Sequence, residues 1–98
     1  MDNRYWIAKN CTSLLESSRI NHILRLSLEV KLLKIRTLLL RQEPCDRAPS
    51  EVCDLTPFNL LLSLMNELNR SNAEQELFEN VSLHLDSLLR TLQEETSG

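Results

Sequence analysis

The sequence predicts an all-α protein, on three observations. Leucine supplies 22 of the 98 residues, whereas valine occurs three times and glycine once, at the last position. Strands and tight hairpins lean on β-branched residues and on residues that tolerate positive φ, and valine and glycine are scarce. Leucine, glutamate, lysine, arginine and glutamine lose little rotamer freedom in a helix, and of these leucine, glutamate and arginine are abundant. Third, the apolar residues recur at steps of three and four rather than two. A chain this short has room for one domain around one modest core. The expected architecture is a three- to four-helix bundle with a long central helix, dependent on a partner to cover its apolar surface.

The first helix is expected over about 4–16, where Trp6 or Ile7, Cys11, Leu14 and Leu15 fall at helical spacings. Ser17 and Ser18 then offer an N-cap, because their hydroxyl oxygens can accept from the unpaired first amides of the next helix. That second helix, about 19–42, is the centre of the protein. One apolar row reads Ile23, Leu26, Val30, Leu33, Leu40, in alternating steps of three and four that Thr37 interrupts. The other reads Ile20, Leu24, Leu28, Leu32, Ile35, Leu39. A helix serving one core needs a single stripe roughly a hundred degrees wide. Two adjacent rows leave His22, Arg25, Glu29 and Arg36 as the main polar strip. So much apolar surface is hard to cover from within a small chain, and this points to a partner.

Pro44 should stop the second helix, since proline disfavours the α conformation of the residue before it and has no amide to donate. A linker follows over 43–56, with Glu43 to Asp54 as its irregular part. Leu55-Thr56-Pro57 reads as a helix start, with Thr56 as N-cap, Pro57 in the first turn and Leu55 stapled onto Leu60. The third helix, about 57–69, carries Phe58, Leu61, Leu62, Met65 and Leu68. Asn69-Arg70-Ser71-Asn72 predicts a break, reinforced by the capping-box pair Ser71 and Glu74; a single bent helix is the alternative. The fourth helix, about 72–93, aligns Phe78, Val81, Leu85, Leu88 and Leu92 in a packing seam of just over two heptads. Residues 94–98 are expected to fray.

The sequence offers little to catalysis. No H-E-x-x-H, G-x-S-x-G or glycine-rich phosphate loop occurs, so no catalytic or cofactor-binding residue is assigned and no cofactor is expected. His22 reads as part of the polar strip and His84 as a boundary residue beside the fourth seam. Cys11, Cys45 and Cys53 are an odd number without a C-x-x-C pair, which suits reduced thiols better than a disulfide framework or a metal site. The acidic group Glu74, Glu76, Glu79 suits a solvated helix start, where negative charge complements the helix dipole. No apolar run approaches the length of a membrane span, and the first residues lack a signal-peptide layout, which leaves the Asn10 and Asn80 sequons as chance matches.

The net charge of −3 hides an asymmetry: residues 1–42 carry net +5 and residues 43–98 net −8. Either the basic half binds nucleic acid, or it packs against its own acidic half. The second reading is favoured because the cations alternate with leucines rather than clustering.

The second helix carries a more specific pattern. Arg19-Ile20, Ile23-Leu24-Arg25, Leu28, Val30-Lys31-Leu32 and Lys34-Ile35 fall within one run of 17 residues. This run resembles the core helix of the GINS DNA replication complex, and is most similar to its Sld-type subunit. Leu55-Thr56-Pro57 is similar to the Leu-Ser-Pro that opens the next helix in that family. Trp6 and Leu14-Leu15-Glu16 are similar, more weakly, to a Trp and a Leu-Leu-Glu near the family's N-terminus. Ser27 stands where the family has tyrosine, Glu29 stands where it has arginine, and nothing in the chain could form the family's small β domain. The resemblance covers roughly residues 14–65.

The resemblance implies a reduced subunit of a nuclear four-chain complex that bridges and activates the MCM helicase at the replication fork. It further implies that Ile20, Ile23, Leu24, Leu28, Leu32 and Ile35 divide between core and subunit interface, with Arg19, Arg25, Lys31 and Lys34 making ionic contacts at the rim. Without it, the residues still read as a non-catalytic helical subunit that meets other helical chains. The alternative assemblies are nuclear or cytoplasmic scaffolds of kinetochore or tethering type. Leu28→Asp is expected to break assembly through the second helix, and Leu85→Asp assembly through the fourth. A helical nucleic-acid binder is the remaining alternative; direct contact with nucleic acid or membrane is not expected.

Overall fold

The computed structural model of the chain describes residues 3–41, 55–70 and 74–97. Within them lie four helices, α1 (Asn3–Glu16), α2 (His22–Arg41), α3 (Thr56–Arg70) and α4 (Glu74–Ser97). No strand occurs among the described residues. The fold is therefore the expected all-α bundle. The irregular linker up to Asp54, the stop at Pro44 and the cap at Ser71 lie outside the described residues.

Helix α1 packs on α2 and α3, and α4 packs on the same two. The α1–α2 hairpin is thus laid against the α3–α4 hairpin, with one helix at each corner of a square. Helix α3 runs through Asn69 to Arg70, and α4, from Glu74, packs against it, which excludes the alternative of a single bent helix. Helix α4 continues to Ser97, four residues beyond the end expected at about 93.

Each helix gives the centre one row. Cys11 and Leu15 come from α1; Leu28, Leu32, Ile35 and Leu39 from α2; Phe58, Leu61, Met65 and Leu68 from α3; and Val81, Leu85, Leu88 and Leu92 from α4. Steps of three and four alternate in these rows, the spacing that lets nearly parallel helices interdigitate. At its start the α4 row departs from expectation. Leu77 is buried and Phe78 is half-buried beside it, because a step of four from Val81 leads to Leu77 and keeps the smaller side chain inward.

The start of α2 is also corrected. Ser17 and Ser18 do not cap it; they close α1 instead. The Ser17 hydroxyl donates to the carbonyls of Ser13 and Leu14, each at 3.1 Å, and the Ser18 hydroxyl donates to Leu15 at 2.7 Å. These carbonyls are among those a helix C-terminus leaves without an intrahelical partner. Asn21 is the N-cap of α2: its Oδ1 accepts from the Ile23 amide at 2.8 Å and its carbonyl from the Arg25 amide at 2.9 Å. Arg19 and Ile20 therefore belong to the connection, with Ile20 buried as an anchor between the two helices. Asn21→Ala should cost about 1 kcal/mol of stability, the usual value of an N-cap, read from urea unfolding followed by circular dichroism. An unchanged midpoint would show that the cap contributes nothing.

Helix α3 begins one residue before its expected start. The Leu55 carbonyl accepts from the Asn59 amide at 2.9 Å, which makes Leu55 the flanking residue and leaves Pro57 in the first turn, where its missing amide costs nothing. Leu60 is 52% exposed, so the expected staple does not bury it.

Candidate protein-interaction site

The two apolar rows of α2 part company in the folded chain. Leu28, Leu32, Ile35 and Leu39 enter the core, whereas Ile23, Leu26, Val30, Leu33 and Leu40 lie between 44% and 74% exposed. At about 3.6 residues per turn the two rows are roughly 160° apart, on nearly opposite faces of the helix and not adjacent as expected. Thr37 completes the outer row. Its hydroxyl donates to the Leu33 carbonyl at 2.9 Å, so it satisfies itself within the helix and asks nothing polar of a neighbour.

Polar contacts lie on both flanks of the buried row. Towards α4, Lys31 Nζ donates to Ser82 Oγ at 2.6 Å and meets Asp86 Oδ1 at 3.1 Å. Towards α1, the Arg36 guanidinium lies over the Tyr5 ring, 5.7 Å from its centroid. The Arg36 side chain beside it holds the Tyr5 phenol below its ordinary pKa. The Lys31–Asp86 pair joins the basic half of the chain to the acidic half, as the charge asymmetry suggested. Pairs this exposed contribute only about 0.2–1 kcal/mol, so they orient α2 more than they stabilise it.

The residues read from sequence as interface scatter accordingly. Ile20, Leu28, Leu32 and Ile35 are buried, and Leu24 is half-buried against the core. The fold withdraws them from any partner docking on the intact bundle. Ile23 alone of the six is exposed. Of the rim cations, Arg19 and Lys34 are exposed, Lys31 is held by α4, and Arg25 Nε stands 3.7 Å from Glu29. In the α4 seam Val81, Leu85, Leu88 and Leu92 are all interior. The rest of the outer face (Leu26, Val30, Leu33, Leu40) was visible in the sequence as a periodic row, but nothing local marked it as outward.

Elsewhere the polar chemistry is structural. His84 Nε2 donates to the Pro57 carbonyl at 2.7 Å, which ties α4 to the first turn of α3. His22 is exposed and its Nδ1 accepts from Arg25 Nη2 at 3.1 Å. Trp6 is exposed beside Lys9, whose ammonium sits 5.1 Å from the ring centroid. Among the described residues no group of His, Cys, Asp and Glu could hold a metal ion, and no helix is long and apolar enough to cross a membrane.

Cys11 is buried, and loss of solvation pushes its thiol up to about 12 from an ordinary 9.0. The raised value favours the folded state fully below pH 9.0, and that contribution is lost as pH rises towards 12. An alkylating reagent at neutral pH should leave Cys11 unmodified in the folded chain and modify it in urea, as read by mass spectrometry. Equal labelling in both conditions would contradict the burial.

Compared with protein-family models, with curated proteins and with solved structures, the chain matches none.

Proposed function

We propose that the chain is a non-catalytic helical subunit of a multiprotein assembly, which it enters through the outer face of α2. The observation that carries this reading is the row Ile23, Leu26, Val30, Leu33, Leu40, left in water on a helix whose other face already serves the core. Full burial of a side chain of this size is worth roughly 1.5–3 kcal/mol. Single exposed leucines are ordinary on a protein surface, whereas a contiguous apolar stripe marks an interaction site. The spacing is that of a helix seam, so the complementary surface is another helix. Within this class the run from Arg19 to Ile35 favours a GINS-like component of the replicative helicase assembly.

The test is a tagged pull-down from native extract at moderate salt, run in parallel with Leu33→Glu. Recovery of three other small helical chains with the MCM ring, lost in the variant, is the expected result. An unrelated assembly that still depends on Leu33 would overturn the replication reading and leave the interaction subunit. Partners retained undiminished by the variant would overturn the α2 face itself. Leu28→Asp and Leu85→Asp cannot serve this purpose, because both leucines are fully buried and either change damages the bundle first.

A further inference from the structure

Resting on the reading of α2 as a docking helix, and in place of the heterologous helices that the replication assignment would seat there, we infer that its occupant is α2 of a second copy, paired in parallel as a two-stranded coiled coil. The residue types on the outer face argue for it. Set in a heptad, Ile23, Val30 and Thr37 take the first position and Leu26, Leu33 and Leu40 the fourth. Every first position is β-branched and every fourth is leucine. That division of shapes favours the parallel dimer over other coiled-coil forms, because each kind of side chain fits only one of the two packing geometries such a dimer offers.

The flanks agree with the same register. Before each first position stand His22, Glu29 and Arg36, and after each fourth position stand Ser27, Lys34 and Arg41. In a parallel pair each residue of the first set approaches the residue five further on in the other copy. Glu29 then meets Lys34 of the second copy, twice by symmetry. Glu29 contacts its own Arg25 only at 3.7 Å, longer than a hydrogen bond, so little is lost when it turns outward. The one unfavourable approach, Arg36 to Arg41, is relieved because Arg36 is drawn back over Tyr5 towards α1.

The geometry leaves room for two bundles. The core row lies nearly opposite the outer row, so a two-fold axis along α2 places the bundles on opposite sides, and the same patch serves both copies in a closed pair. About two and a half heptads are short for an isolated coiled coil, which must fold its helices as it associates. Here α2 is already held helical by its own bundle, and association carries no such cost.

Sedimentation equilibrium of the full chain over a dilution series tests this. The wild type is expected to be a dimer that dissociates on dilution, and Val30→Glu a monomer with unchanged helicity, since Val30 is half exposed. Leu83→Glu, at a more exposed leucine on α4, should leave the dimer intact, and its dissociation would place the interface elsewhere and overturn the proposal. Thr37→Ile, which makes the outer row fully apolar, should tighten the dimer about tenfold, or about 1.4 kcal/mol.

Direction is read from Val30→Cys in a chain with Cys45 and Cys53 replaced by serine, Cys11 being shielded in the core. A disulfide joining the two copies through the introduced thiols under mild oxidation supports parallel pairing. A dimer that does not cross-link there is antiparallel, with Val30 against Leu33, and sinks the proposal. Independently, Lys34→Glu should weaken the dimer and the exchange Glu29→Lys with Lys34→Glu should restore it. A wild type monomeric at every concentration also overturns the second copy. If Val30-dependent binding to a different helical chain then survives, the docking helix stands; if it does not, both readings fall.

Discussion

Leu28→Asp is expected to unfold the chain outright. Leu28 has no exposed surface and lies in the row of α2 that enters the core. Removing the leucine alone costs about 2–5 kcal/mol, combining lost transfer energy with the cavity left behind. An aspartate there adds several kcal/mol more, because its carboxylate would be buried without a partner or must take up a proton. A domain of this length has about 5–15 kcal/mol in all. The loss is comparable with the whole, so far-ultraviolet circular dichroism at 25 °C should show the helical signal collapse. Leu28→Ala should remain folded with a urea midpoint well below wild type. A helical, cooperatively melting Leu28→Asp chain would mean that the two rows of α2 are exchanged.

Five residues along the same helix the outcome should reverse. Leu33→Glu replaces a side chain that is 59% exposed, so in dilute solution its unfolding free energy should stay within about 0.5 kcal/mol of wild type. Association changes the comparison. Whatever binds the folded state raises its apparent stability by mass action, and the wild-type melting temperature should therefore climb with protein concentration. The Leu33→Glu melting temperature should not. Thermal melts at two concentrations a hundredfold apart decide the matter, and parallel behaviour of the two proteins would remove the outer face of α2 from any role in self-association. Together the two substitutions distinguish a leucine that folds the bundle from one that recruits to it.

That distinction was only half legible in the sequence. Both rows of α2 were apparent, at the same spacing and with similar side chains, and so was the excess of apolar surface that a partner would have to cover. Periodicity specifies a face relative to its own helix and says nothing of what stands opposite. The choice depends on long-range contacts: Lys31 reaching Ser82 and Asp86 on one flank, and Arg36 lying over Tyr5 on the other. These join positions far apart in the chain and flank the core packing of Leu28, Leu32, Ile35 and Leu39, which leaves Leu33 outward. The resemblance drawn along Arg19–Ile35 crossed both faces, so its interface residues mixed core with surface.

The sequence by itself determined the helical class, the four segments and most of the core, because leucine-rich repeats of three and four and the proline at the start of α3 are local properties that each segment carries alone. Caps were settled by competition between neighbours. Ser17, Ser18 and Asn21 are all competent N-caps, and only the point where α1 ends left the serines to close it and Asn21 to begin α2. The tertiary structure decided the rest: the pairing of the hairpins, the inward turn of Leu77 over Phe78, and which apolar row of α2 stayed in water. Burial is a property of neighbours, and in a four-helix square each helix has two neighbours and one side left open.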